Sequence, residues 1–266
     1  MNHQTIRQQL PALVYSHLPR NTRRFRYHIF DGEPMESMLG FRIDPQPFEG
    51  MVIATTDEAI IVKTGRSHFA VLDRTLVTTI PDKGTRVAVQ PYARRRFDGM
   101  RADTSEEIVE YSANGASYTV KRMVLGAAPA HLPLPTVKCH ELQQLINQLE
   151  NLPAPDRHRT ISHMLVDAQA SDFSVVDPTE DNIIQTPPAI SFNVSTRKFE
   201  GRVSVLYLRA DDLYAVELHR KGKRVERHDG IFFDMLGETL ADRLDDGSWR
   251  KIRVRIITDS RKTMRH

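Results

Sequence analysis

The sequence has one cysteine, Cys139, among 266 residues, which excludes a disulfide framework within the chain and any multi-cysteine zinc or iron–sulfur site. It also lacks charge of one dominant sign. Lys and Arg number 37 against 34 acidic residues, so a net +3 makes the chain no general polyanion binder, and any basic surface must be local. No apolar run approaches the ~20 residues that cross a bilayer, and Met1-Asn2-His3-Gln4-Thr5-Ile6-Arg7 lacks the charged-then-apolar order of a signal peptide. A reducing, cytoplasmic setting with no membrane partner is expected. There is no internal repeat, no low-complexity tract and no cofactor or metal motif.

What is present is strand-like patterning, then helical patterning, then strands again. Residues 1–47 read as an arm with one short strand at Phe25–Phe30 before Asp31-Gly32. From Gly50, the runs Met51–Ala54, Ile60–Lys63, Phe69–Leu72 and Val87–Val89 are short, closely spaced and separated by Gly-bearing turns, which predicts a small β-barrel. Asn114-Gly115 marks a further hairpin leading into Tyr118–Met123. Between Gly126 and Pro135, Pro129, Pro133 and Pro135 remove backbone donors, so residues 126–136 form the expected linker. Beyond it, Leu142, Leu145, Ile146 and Leu149, then Ile161, Met164, Leu165 and Ala168, recur at helical spacing. Alternation follows at Ile190/Phe192/Val194, Val203/Val205/Tyr207 and Tyr214/Val216/Leu218, the pattern of an antiparallel meander. A last helix through Phe233, Leu236, Leu240 and Leu244 ends near Gly247, and a final strand carries Ile252, Val254 and Ile256. The expected fold class is α+β, an N-terminal small β-barrel plus a C-terminal antiparallel sheet with packed helices. Its expected parts are 1–125 (arm and barrel), 126–136 (linker), 137–258 (α+β domain) and 259–266 (basic tail).

Within residues 49–98, Glu49-Gly50-Met51-Val52-Ile53-Ala54-Thr55-Thr56-Asp57, Ile61-Val62, Gly65-Arg66, Val71-Leu72-Asp73, Leu76, Pro81, Gly84, Val87, Val89 and Tyr92 resemble the KfrB-type domain. Lys63-Thr64 stands where that family often has a Gln before Gly-Arg. The resemblance implies a short barrel and a plasmid or mobile-element context, since such domains occur in plasmid stability proteins and beside large DNA-processing proteins. It implies no catalysis, and the chain is expected not to be an enzyme.

The sharpest charge feature is Arg94-Arg95-Arg96 between Tyr92 and Phe97. Adjacent guanidiniums beside aromatic rings are what a barrel that binds single strands uses, and Lys63, Arg66 and His68 are expected to share its face. The alternative is a solvated basic loop. At the C-terminal end, Arg250, Lys251, Arg253, Arg255, Arg261, Lys262 and Arg265 stand against only Asp259; this strand face and tail either neutralise phosphates, or Arg253 and Arg255 pair with Asp242, Asp245 and Asp246. Expected partners are therefore single- or double-stranded DNA, a host or plasmid protein, or both.

A metal-dependent nuclease is the enzymatic alternative. Asp172, Asp177, Glu180 and Asp181 cluster in sequence, and Asp177 with Glu217 has a restriction-type layout, but His219 stands where that layout wants a lysine. His158 and His163 diverge at i, i+5 and read as ordinary surface residues, not a metal pair. Cys139 falls on the apolar stripe of its helix and reads as a small buried hydrophobe. Lys83-Gly84-Thr85 reads as a turn and not a phosphate loop.

Overall fold

The computed structural model describes residues 1–257 except 21, 23, 123–125 and 127; the expected tail, with Asp259, Arg261, Lys262 and Arg265, lies outside the described residues. In chain order the elements begin with α1 (His3–Val14), β1 (Arg26–Phe30), β2 (Met35–Glu36), β3 (Arg42–Ile43), β4 (Phe48–Thr55), β5 (Ala59–Lys63), β6 (His68–Asp73) and β7 (Arg86–Gln90). There follow β8 (Glu106–Tyr111), β9 (Ser117–Arg122), α2 (His140–Asn151), α3 (Ile161–Asp167), β10 (Ser171–Val176), β11 (Ala189–Ser195) and β12 (Glu200–Leu208). The last are β13 (Leu213–Arg220), β14 (Lys223–Ile231), α4 (Leu236–Leu244) and β15 (Arg253–Ile256). The chain divides into two units, one built from Met1–Met35, Asp44–Ala93 and the chain from Ser248, the other from Glu36–Ile43 and Arg94–Gly247. No helix among the described residues is long and apolar enough to cross a membrane.

The first unit is a six-stranded sheet in the order β1-β6-β5-β4-β7-β15. Its central strands are apolar on both faces because both faces are covered. Val52, Ile60, Val62, Leu72, Val87 and Val89 fill one side, while Ile53, Ile61, Phe69 and Val71 pack with Ile6, Leu10 and Val14 of α1 on the other. Those three α1 residues recur every four positions, so one stripe of the helix is buried. Asn2 caps it by accepting from the backbone N–H of Gln4 (2.9 Å) and Thr5 (3.3 Å). The sequence reading expected no helix here, since Arg7, Gln8 and Pro11 interrupt an apolar signal of only three residues.

The sheet is strongly curled. Strands β1 and β4 stand three places apart, roughly 14 Å across a flat sheet. Yet the rings of Phe30 and Phe48 meet at 5.2 Å between centroids. Among the described residues no ladder joins β1 to β15, so no closed barrel is formed by strand pairing. The edge strand β15 pairs antiparallel with β7, through Arg253↔Gln90 and Arg255↔Ala88. Sequence order alone groups this strand with the C-terminal domain; its apolar residues Ile252 and Val254 instead complete the first unit's core.

The second unit holds the five-stranded meander β10-β11-β12-β13-β14, in sequence order as the alternation predicted. Its core joins Ile190, Phe192, Val203, Val205, Val216 and Leu218 to Leu142, Leu149, Ile161, Leu165, Leu240 and Leu244 of α2, α3 and α4. The alternate residues form polar cross-strand rows on the helix-free face, one running Ser174–Ser191–Ser204–Glu217–Arg227. Part of the expected linker, residues 126–136, is buried. Ala130 and Leu132 are buried, and the Leu132 N–H donates to Glu150 Oε1 at 2.8 Å. Prolines prevent regular structure there without preventing burial, because the remaining backbone donors find acceptors: the Ala128 N–H on the Ala102 carbonyl, the Leu134 N–H on the Leu132 carbonyl and the Leu132 N–H on Glu150. The hairpin β8–β9 turns through Ser112–Ala116, longer than the two residues expected, with Gly115 at φ 81°.

Candidate functional site

The residues expected to form one basic face are divided between the two units. Arg94 and Arg96 are buried, at 7% and 9% exposure. Nη1 of Arg94 donates to the His158 carbonyl at 3.0 Å and Nη2 to the Arg42 carbonyl at 2.9 Å. Arg96 Nε lies 3.6 Å from the Asp98 carboxylate, and Arg95, half-buried, donates to the Gly99 carbonyl at 2.8 Å. A guanidinium offers five donors in a planar fork, so an irregular segment rich in unmatched carbonyls can bury an arginine that a strand would expose. Phe97 packs edge-on against Phe173 at 5.2 Å, and Tyr92 edge-on against Trp249 at 4.7 Å, so both rings sit in aromatic pairs. Lys63 donates to the His17 carbonyl at 2.6 Å, and Arg66 is exposed in the turn between β5 and β6. Lys63, Arg66 and Tyr92 belong to the first unit, Arg94–Phe97 to the second. The exposed triple-arginine cluster is thus corrected, since two of its three members are structural.

Among the described residues, two cations without ion pairs lie side by side on β15. Alternation on an edge strand sends Val254 into the core and leaves Arg253 and Arg255 exposed on the other face. The aspartates proposed as their partners are taken within the second unit: Asp245 by Arg159, Asp246 by Arg197 at 3.2 Å and Asp242 by Arg243 at 3.4 Å. Neither Arg253 nor Arg255 has an ion pair among the described residues. A groove of about 660 Å³ runs beside them, lined also by Phe48, Glu49, Ala88 and Gln90. On the same face Arg86 is held by Glu49 at 3.1 Å, the one carboxylate in the groove. The alternation of Arg253 and Arg255 was readable from sequence. Their uncovered setting was not.

The carboxylates of the nuclease reading are kept apart by the sheet. Asp177 accepts from the backbone N–H of Lys138 (2.9 Å) and Cys139 (2.8 Å), so it caps the start of α2 from another element. Glu217 instead lies on the helix-free face, where Arg224 (2.8 Å), Arg227 and His219 (3.1 Å) surround it. Burial pushes the Glu217 carboxyl up, but these hydrogen bonds outweigh it and hold the group below its ordinary range. Glu180 and Asp181 sit exposed in a short 3-10 turn, and Asp172 accepts from the Asn193 amide at 2.8 Å. Among the described residues no three His, Cys, Asp or Glu side chains come together at metal-binding distance.

His158 and His163 are buried rather than superficial, at 7% and 1% exposure. His163 closes a capping box with Thr160 at the start of α3, and its Nε2 lies 3.1 Å from the Ala128 carbonyl. Cys139 is buried as its stripe position implied, and burial pushes its thiol up. Lys83-Gly84-Thr85 is a turn, with Gly84 at φ 86° and the Thr85 N–H on the Asp82 carbonyl at 3.1 Å. Neither a protein-family model, nor a curated protein, nor a solved structure matches this chain.

Proposed function

We infer that the protein is a non-catalytic accessory factor of a plasmid or mobile element that holds nucleic acid through the uncovered β7–β15 face of its first unit. The observation that carries this is the pair Arg253 and Arg255, exposed two residues apart without ion-pair partners beside a groove that one carboxylate lines. Fixed guanidiniums of this kind neutralise successive phosphates, and the counterions they displace make binding salt-dependent. The KfrB-type pattern and the curl of the sheet favour a small-barrel module, the kind of scaffold that tracks a nucleic-acid backbone along one face. The interface is therefore moved from Arg94-Arg95-Arg96 to β15.

Fluorescence anisotropy with labelled single- and double-stranded oligonucleotides at low salt tests it. Arg253→Ala with Arg255→Ala is expected to weaken binding and to reduce the salt slope by about two, one for each lost phosphate contact. Unchanged affinity, or no binding by the intact chain, refutes the reading.

One observation favours a second reading, a protein-interaction factor such as a defence inhibitor or a segregation or conjugation component. The turn between β2 and β3 is closed by Ser37 N–H on the Phe41 carbonyl (2.8 Å) and Phe41 N–H on Ser37 Oγ (3.0 Å). It presents Met38 and Leu39 at 105% and 77% exposure. A rigid turn with apolar residues at its tip is suited to entering a pocket on another protein.

A further inference from the structure

A second cleft, of about 670 Å³, lies on the helix-free face of the second unit, within the size range of small-molecule sites. Its walls contain an anomaly of backbone chemistry. Five non-glycine residues among those described have φ in the left-handed region, and three of them, Gln169, Asp172 and Lys221, line this one cleft.

Each stands where glycine or asparagine is the low-energy choice. Gln169 occupies the left-handed position after α3, with its N–H on the Val166 carbonyl (3.0 Å) and the Ala170 N–H on the Leu165 carbonyl (2.9 Å). That is the helix-ending motif in which glycine usually sits. Lys221 opens the two-residue turn Lys221-Gly222 between β13 and β14, where both residues have positive φ and Asn-Gly or Gly-Gly is preferred. Asp172 lies in the bulge where β10 shifts register against β11. Side chains retained against a backbone penalty, and converging on one cavity, mark a place where the side chain itself has a task.

The chemistry of the walls restricts the ligand. Lys221 has no ion pair among the described residues; Arg202, which also donates to Ser174 Oγ and the Asp172 carbonyl, and His219, whose Nε2 lies 3.1 Å from Glu217, join it in lining the cleft. Against these stand Glu200 and Asp172, the latter already occupied by Asn193 at 2.8 Å. Ser171, Ser195 and the Gln169 amide add hydrogen-bonding groups, and no Phe, Tyr or Trp ring lines the site. Lys221 and Arg202 favour an anion, and the hydroxyls and amides favour a hydroxylated ligand. We propose that this cleft binds a small phosphate monoester of a hydroxylated carbon chain, with the phosphate toward Lys221, Arg202 and His219. The site lies in the unit that the oligonucleotide-binding reading does not use, so the two stand or fall separately.

Isothermal titration calorimetry of the full chain with ribose 5-phosphate, ribose and inorganic phosphate tests this. Ribose 5-phosphate is expected to bind about tenfold or more tightly than either fragment, and Lys221→Gly to weaken it by about the same factor, the worth of one charge-assisted contact. Lys221→Gly creates the preferred Gly-Gly turn, so its thermal midpoint is expected to hold or rise while affinity falls. Gln169→Gly supplies the same comparison at the end of α3. Equal binding of inorganic phosphate, no binding of ribose 5-phosphate, or unchanged affinity in both glycine variants overturns the proposal.

Discussion

Arg159 is a buried cation on which three segments of the second unit converge. Its side chain is fully buried, and its guanidinium meets Asp156 at 3.0 Å through Nε, Asp167 at 2.8 Å through Nη1 and Asp245 through Nη2. It therefore ties the turn before α3, the end of α3 and the end of α4. Three charged hydrogen bonds taken singly would sum to roughly 4.5–9 kcal/mol, an upper bound because they share one cation. Removing one member of a buried ionic set costs about 3–5 kcal/mol, and the partial exposure of the three carboxylates places Arg159→Met at the lower end. Met fills much of the space of the arginine stem, so the loss reports mainly the three carboxylates left facing one another. Urea unfolding followed by far-ultraviolet circular dichroism suits the measurement, because α2, α3 and α4 all lie in this unit while Trp249 lies in the other.

The deficit should depend on pH in a definite sense. Burial pushes the Asp156 carboxyl up, but Arg159 and the backbone N–H groups of His158 and Arg159 outweigh it, so its folded-state pKa lies below the ordinary value. Such a group contributes stability that is complete above the unfolded pKa, near ~4, and is lost as pH falls through the lower folded value. Without the Arg159 guanidinium, burial is opposed only by the backbone N–H groups of residues 158 and 159, so the carboxyl is less depressed and the variant loses less stability than wild type on acidification. The gap should narrow as pH falls below about 4. A loss under about 1 kcal/mol, or a gap that does not narrow, refutes this account of the cluster.

Arg94→Ala strands the His158 and Arg42 carbonyls and is expected to cost about 1–3 kcal/mol, whereas half-buried Arg95→Ala should stay within about 0.5 kcal/mol. Similar losses at the two positions in urea titrations would contradict the burial described above. Gly201 has φ 152°, and a Cβ there would stand 2.3 Å from the His219 carbonyl oxygen, so Gly201→Ala must separate β12 from β13. A drop of several degrees in thermal midpoint is expected, and wild-type stability would show that the two strands are not held at this spacing.

Local pattern decided much of this molecule. Strands β4–β7 and β11–β13 and helices α2, α3 and α4 follow from apolar periods of two and of three to four, because burying one face of an element is a property of neighbouring residues. What distant segments decide was not readable in that way. The carbonyls that bury Arg94 come from Arg42 and His158, 52 and 64 residues away, and no local signal distinguishes an arginine that finds them from one in water. The same holds for β15, whose alternation was visible but whose partner β7 was not. It holds also for the prolines of 126–136, which forbid regular structure yet leave Ala130 and Leu132 free to enter a core. Sequence alone thus determined where most elements lie and which residues are cationic; the tertiary structure decided which cations remain available. Desolvating a guanidinium is tolerable only where the rest of the fold supplies its acceptors.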